Sequence, residues 1–354
     1  MIIRRYIISE IIKPAFNILI LLLAIFASYT AITYLTDAVG GMIPLSRIGT
    51  LIGLRIGLAL EVLLPTTLYI SVIIALGRLY KDSEITALTS CGLGTGGLVW
   101  PVFLLSVPVA LIAGGASLYV RSAAYDQIYA LRAEVVAEFE IKQLESNRFL
   151  EFANGRYTFF CEEIDRDRGI ARKVFLHEQK GDVWQVIQAE EMIAGGRNNL
   201  GYPVMILRNG HLVEFPASGA KGNIIRFEEA QYPIVADSSK AGRYRRKAAT
   251  TSHLLQSDRL EDVAELQWRF STPVSTILLA LLGIPLSRTN PRKGKYAKLG
   301  LAMIIFAVYY QLFVIAKTQV ENGTISPLIG IWWVPGLLTV LVLFLLRRTG
   351  RAGS

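Results

Sequence analysis

The sequence has little of what most active sites are built from. Its three histidines, His177, His211 and His253, are scattered and form no His-Glu-x-x-His or similar spacing. It has only two cysteines, Cys91 and Cys161, and two isolated thiols supply neither a disulfide framework nor a Cys-based metal site. No GxxxxGK[ST] run occurs, so there is no P-loop to cradle phosphates. The glycine-rich "GLGTGG" at 92–97 lacks the following Lys-Ser/Thr and leads into an apolar run, which reads as a hinge. No Gly-x-Ser-x-Gly is present. Charge is also scarce: 18% of 354 residues are Asp, Glu, Lys or Arg, below the roughly 25% of an average soluble domain. The chain is therefore expected to be no enzyme, with no metal and no directly bound cofactor. Any ATP would be used by a separate ATPase subunit.

What the chain has is apolar length. Hydrophobic residues make up 52% of it. A membrane-spanning helix needs about 20 apolar residues, and six segments qualify: 14–36, 51–78, 98–120, 270–288, 298–317 and 327–346. The first is too long for a cleaved signal peptide and lacks a small-residue cleavage site. Before it, "MIIRRYIISEIIK" mixes basic and apolar positions at helical spacing, which predicts an interfacial helix lying on the membrane.

The net charge of +9 invites a nucleic-acid reading. Its basic residues instead flank the apolar segments, where they set orientation. Arg4, Arg5 and Lys13 precede the first segment, and Arg78 and Lys81 follow the second. Arg288, Arg292, Lys293, Lys295 and Lys298 crowd the fourth loop, and Arg347, Arg348 and Arg351 follow the sixth segment. All fall on one side if both termini are cytoplasmic. Residues 121–269 then lie outside the cytoplasm, and Cys91 and Cys161 sit on opposite sides of the membrane.

The exported stretch opens with "RSAAYDQIYALRAEVVAEFEIKQLE", which continues the third span as a helix. The period then changes to two in "RFLEFANGRYTFFCEEI", "KVFLHEQ", "DVWQVIQAEEMIA", "YPVMILRNGHLVEF" and "NIIRFEEAQYPI". Turn signals punctuate these runs at Asn154-Gly155, Asp167-Arg168-Gly169, Lys180-Gly181-Asp182 and Asn209-Gly210. Short strands with such turns predict an antiparallel sandwich or barrel. The polar, basic 236–252 reads as a loop, and "HLLQSDRLEDVAELQWRF" as a short helix feeding the fourth span. The expected division is 1–120 (three spans), 121–269 (exported β domain with helical connectors) and 270–354 (three spans and a cytoplasmic tail). No internal repeat is visible.

Between spans two and three lies "LYKDSEITALTSCGLG". Ser83 is placed to cap a short helix at 82–92. Ile85 and Leu88 share a face, and Gly92 closes the helix with a residue that tolerates positive φ. Such an element can dock in a partner's groove, with Glu84 pairing to an arginine there. It can also be a simple connector.

Ionisable residues inside spans are costly and mark cavities or partners. Arg55 lies near the outer end of span two and can snorkel. Glu61, about one and a half turns deeper, suits a polar lumen or an interface equally. Lys317, at the outer end of span five, is either an anchor or a cation for an anionic headgroup. Arg47 admits the same two readings, with the anchor favoured. In the β region, Glu162, Glu163, Asp165 and Asp167 alternate with Arg166 and Arg168, a solvated turn rather than a metal site. Phe149, Phe152, Tyr157 and Phe159 read as sandwich core.

Three stretches carry a family resemblance: "MIIRRYI", "LPTTLYISVIIALGRLYKDSEITALTSCGLG" and "GIPLSRTNPRKGKYAKL". They resemble the LptF/LptG permease family, the membrane subunits of a lipopolysaccharide-export ABC transporter of Gram-negative bacteria. The N-terminal wording and "NPRKGK" lean to the first-named branch. The resemblance runs over the whole chain, although its motifs lie mostly in the membrane half. It implies an inner-membrane subunit pairing with the other permease of a heterodimer, with an ATPase dimer (LptB), with LptC and with a periplasmic jellyroll bridge. It implies a β-jellyroll for 121–269, gates lined by spans one and five, and a coupling-helix glutamate at the position of Glu84. A membrane scaffold whose exported domain binds a partner is the alternative. A secondary transporter would show inverted repeats and broken spans, and no matched pair of span prolines is evident.

Overall fold

The computed structural model describes residues 2–39, 45–94, 96–137, 146–152, 157–165, 168–180, 183–197, 203–216, 222–233, 246–288 and 298–351. The turn signals Asn154-Gly155 and Gly181-Asp182, Asp167, the stretch 236–245 and the "NPRKGK" loop lie outside them.

Helices form wherever the apolar runs are long. The first, α1, covers Ile2–Val39 without a break and passes through Pro14. Residues 2–13 are therefore not a separate interfacial helix. Ile7 and Ile11 are fully buried, packed with Leu76, Leu79 and Leu98, so the bundle rather than a headgroup layer covers that apolar face. Next come α2 (Leu45–Lys81) and the short α3 (Glu84–Ser90). The third span begins as α4 (Gly96–Gly115), widens through a π-helical turn at Ala116–Val120, and continues as α5 (Arg121–Ala137). The continuation beyond span three is as the sequence predicts.

After the sheet, the stretch expected to be loop turns helical from Arg246: a 3-10 turn at Arg246–Ala248 and α6 (Thr251–Leu255), whose N-cap Thr250 side chain accepts from His253 N. The expected connector at 260–269 is the beginning of α7 (Leu260–Ser287), one helix of 28 residues. Its first turn carries Glu261 and Asp262, acids that favour a helix N-terminus. Then follow α8 (Leu299–Glu321) and α9 (Trp333–Arg351). The last helix, expected over 327–346, starts later, at Trp333, because residues 327–332 are turns tied to α7. The Gln267 amide donates to Pro327 O at 2.8 Å and accepts from Ile331 N at 3.0 Å. Gly330 has φ +53° there, and a Cβ would meet Gln267 Oε1 at 1.9 Å.

Among the described residues, five helices are long and apolar enough to cross a membrane: Ile2–Thr36, Leu45–Lys81, Gly96–Leu131, Leu260–Ser287 and Leu299–Glu321. The chain is thus a polytopic helical protein with an inserted antiparallel sheet. It divides into two compact units, one of Met1–Ala31, Thr50–Asp126 and Arg246–Ser354, the other of Ile32–Gly49 and Gln127–Arg245. In the helical unit α7 is central, and Gly283 lets it approach α2 so closely that a Cβ would meet Val72 at 2.8 Å.

The sheet has six strands in chain order: β1 (Leu150–Phe152), β2 (Tyr157–Asp165), β3 (Ile170–Lys180), β4 (Val183–Arg197), β5 (Pro203–Pro216) and β6 (Asn223–Pro233). Every neighbour is antiparallel. The described strands are a meander in one sheet, where the sequence predicts a sandwich or barrel.

Asn209-Gly210 is no turn; β5 runs straight through it. A crease crosses the sheet at this level. Lys173 and Asn209 take positive φ, 52° and 49°, and strict alternation fails there on each strand. Buried positions step by three residues, from Cys161 to Ile164, Ala171 to Val174 and Ala189 to Met192. Two consecutive residues therefore face outward on each strand: Glu162-Glu163, Arg172-Lys173, Glu190-Glu191, Arg208-Asn209 and Glu228-Glu229. Acidic pairs on β2, β4 and β6 alternate with Arg172-Lys173 on β3 and Arg208-Asn209 on β5. Arg172 lies 3.8 Å from Glu163 and 3.6 Å from Glu191, Arg208 3.2 Å from Glu229, and Lys173 pairs with Glu162. Asn209 donates to Glu190 at 3.1 Å. The acids expected in a solvated turn thus belong in part to a cross-strand ladder.

Candidate functional site

Two places in the helical unit combine chemistry with geometry. One is α3 and what holds it. Ser83 stands at the N-cap, but its φ of 60° is left-handed and its side chain makes no capping bond. A side-chain cap needs an extended N-cap residue, so the expected role of Ser83 is not realised. The C-terminal end is as expected. Gly92 has φ +88°, with Gly92 N bonded to Thr89 O at 3.0 Å and Leu93 N to Leu88 O at 3.0 Å, a Schellman closure. Ile85 is 1% exposed and packs with Ile7, Ile11, Leu76 and Leu79. Leu88 is half-buried.

Glu84, also half-buried, accepts a hydrogen bond from the Tyr6 hydroxyl at its Oε2, 2.6 Å away. One turn further along α1, Glu10 is paired with Arg78 and lies 2.9 Å from Lys13. Arg78 also stands 4.0 Å from Asp82. Tyr6 and Glu10 escape the sequence reading because an interfacial helix has no reason to meet residues 78 and 84.

The second place is a knot of buried charge. Glu61, 4% exposed, is surrounded by donors. Arg121 reaches its Oε2 at 2.7 Å, and Trp268 Nε1, Ser117 Oγ and Thr272 Oγ1 reach Oε1 at 2.7, 2.9 and 3.3 Å. Arg121 also bonds Glu265 at 2.7 Å. Glu265 is fully buried and receives Lys317 at 2.5 Å and Arg269 at 3.5 Å. Arg269 continues to the carbonyls of Ala249, at 3.0 Å, and Lys247, at 3.2 Å. The Lys317 ammonium sits 4.9 Å from the Trp268 ring centroid, a cation–π contact. Ser117 belongs to the π-helical turn, an irregularity often found at functional places.

The structure therefore joins Glu61 and Lys317, which the sequence reading kept apart, through Arg121, Glu265 and Trp268. Arg55 is half-buried, and Arg47 is exposed on the other compact unit. Near the knot, burial pushes the Lys247 ammonium below its ordinary pKa. Arg121, Arg246 and Arg55 push the same way, and Glu265 opposes them.

Beside Glu61 lies a cavity of about 40 Å³, walled by Trp268, Tyr309, Tyr310 and Phe313 and bordered by Ser275 and Thr272. It has room for one or two waters and not for an acyl chain. Among the described residues no cluster of three or more His, Cys, Asp or Glu could hold a metal ion. Arg121, Glu265 and Arg269 were legible as "ELQWR" and as the first residue past span three. Drawing the spans at 98–120 and 270–288 left them just outside the segments searched for intramembrane charge.

Neither place offers a nucleophile with a base. Both offer ways of holding helices together. The family described as lipopolysaccharide export system permease LptF/LptG matches residues 5–348. The lipopolysaccharide export system permease proteins LptF of Escherichia coli (strain K12) and of Shigella flexneri are each 25% identical over 357 residues, covering 98% of this chain and 94% of the relative.

Proposed function

The chain belongs to the LptF/LptG family of lipopolysaccharide export permeases, and from that premise we propose how its parts divide the work. It is a permease subunit of an ABC transporter and not an enzyme. The observation that carries the division of labour is α3, a short element with one acid at its start, held rigidly between two long helices.

In the proposed arrangement α9 is a sixth span, supported by its apolar residues and by the arginines that follow it. Both termini face the cytoplasm, supported by the one-sided Lys/Arg distribution. Residues 1–120 and 270–354 form the membrane part, and 121–269 the periplasmic part. Its antiparallel strands and their one buried face support a jellyroll-like domain. The partners are LptG as the second permease, an LptB dimer at the cytoplasmic face, LptC and a periplasmic jellyroll bridge.

Lipopolysaccharide enters a cavity between the two permeases from the outer leaflet. The motor grips α3 (within 82–92) through Glu84, with Ile85 and Leu88 fixing the helix and Gly92 ending it. Lys317, Arg55 and Arg47 are the cations assigned to lipid phosphates at the outer rim, on the strength of their places near the outer ends of the spans. Lys317 reaches one only by leaving Glu265. Glu61 is engaged by four donors, which supports a role as the hub of the knot and not a direct lipid contact.

The test is co-expression of the chain with its partner permease and ATPase, wild type and Glu84→Arg. Reversal of charge is expected to remove the ATPase subunit from the purified complex, or its lipid-dependent activity, while the chain stays inserted. A Glu84→Arg complex with full retention and full ATPase rate would overturn the coupling role.

A further inference from the structure

The contact between Tyr6 and Glu84 joins residues 78 positions apart. It links the beginning of the chain to the only acid on α3. We propose that Tyr6 is a positioning residue for Glu84, and that the first turns of α1 are the strut through which movement of α3 passes directly to the first span. This rests on the coupling role assigned to Glu84.

Three observations carry the inference. First, the Tyr6 hydroxyl occupies one carboxylate oxygen of Glu84, Oε2, and an ionised carboxylate has about four acceptor positions in all. The phenol therefore fixes the side chain's rotamer and leaves the other oxygen available for an incoming cation. Second, the contact is not isolated. Ile7 and Ile11 are fully buried against the same cluster as Ile85, and the Glu10–Arg78 pair clamps α1 to the last turn of α2. Tyr6 and Glu10 are four residues apart, so they share one helix face. Third, α1 is unbroken from Ile2 to Val39. A push on α3 therefore need not reach span one by way of spans two and three.

A dangling carboxylate on a short exposed helix samples several rotamers, and each capture by a guanidinium must freeze it. A phenol that has already frozen it removes that cost. A further consequence is geometric. The grip of the motor and the start of span one become parts of one rigid body, so the stroke is felt at span one as soon as α3 moves.

The experiment is a double-mutant cycle in the intact complex of both permeases and the ATPase, reconstituted in liposomes containing lipopolysaccharide. The variants are Tyr6→Phe, Glu84→Gln and the pair. The ATPase kcat, its KM for ATP, lipid release and complex Tm are measured for each. Tyr6→Phe keeps the ring and its packing, so Tm and KM stay as in wild type. Lipid release per unit time and kcat are expected to fall about fivefold to tenfold, the size of one hydrogen bond at its typical net worth. On the Glu84→Gln background the same change is expected to cost less than about twofold, because the charge it aims is already gone.

Equal losses on both backgrounds would make Tyr6 a packing residue and overturn the proposal, as would a Tyr6→Phe complex with wild-type kcat and release. If Glu84→Gln itself leaves kcat and release unchanged, the coupling role of Glu84 fails first, a separate result, and the strut falls with it.

Discussion

Glu265 is the residue on which the buried charge depends. It pairs with Arg121, Lys317 and Arg269, and it has no exposed surface. Removing it leaves Arg121 with Glu61 alone, Lys317 with only Glu321 at 3.9 Å, and Arg269 with no carboxylate among the described residues. Breaking a buried pair by deleting one partner costs about 3–5 kcal/mol. Glu265→Ala is therefore expected to lower the Tm of the purified complex sharply or to abolish its accumulation. Lys317→Met removes a cation that is only one of three and is expected to cost less, a ranking that thermal unfolding in detergent checks directly. Cysteine gives a second contrast at this scale. Burial raises the pKa of the Cys161 thiol, so little thiolate is present near neutral pH, whereas Cys91 is exposed. Maleimide at neutral pH is expected to label Cys91 rapidly, and Cys161 only after denaturation.

At the scale of elements, the long helices were legible and their ends were not. A window of 20 apolar residues finds the middle of a span. It cannot tell that α7 begins ten residues earlier, where Glu265 and Arg269 satisfy each other instead of facing lipid. The strands were legible for the same reason, since alternation reports a one-faced sheet. The crease was misread. Asn-Gly usually marks a hairpin, yet here it is one rung of a line crossing β2 to β6. The signal was a polar pair repeated on five strands, doubly charged on four of them and alternating in sign, which a strand-by-strand reading does not bring into register. Exposed pairs of this kind contribute little stability each; they favour the observed register, because a slipped strand would part the opposite charges and turn buried side chains outward. Gly210 is the tight point of the line. A Cβ there would lie 2.4 Å from Gln188 O and 2.6 Å from the Phe227 ring. Gly210→Ala is expected to destabilise the sheet by about 1–3 kcal/mol, seen as earlier protease cleavage within 146–233 while the helical unit stays intact.

For the whole molecule, composition alone fixed the class, and the Lys/Arg distribution gave a topology open to a direct check. Cys91 lies just after α3, on the side where the motor is proposed to bind. An impermeant maleimide is expected to label it in inverted membrane vesicles and not in intact spheroplasts. Labelling from outside would reverse the orientation assigned to every loop. The buried knot was invisible at this scale because its members come from four helices, and nothing in one sequence says which helices meet.

That knot also constrains how the protein is made. In the sheet each strand pairs with the next one in the chain, so each pairing can form as soon as the following strand has been made. The knot closes loops of 60 residues between Glu61 and Arg121, 144 between Arg121 and Glu265, and 207 between Glu61 and Trp268. Until α7 and α8 are synthesised, Glu61 has only Arg121 and Ser117, and Arg121 lacks its second carboxylate, Glu265. A chain that stops before residue 265 thus lacks the carboxylate that Arg121, Arg269 and Lys317 share. The side chains that bind the finished bundle together are satisfied only once its late helices are in place.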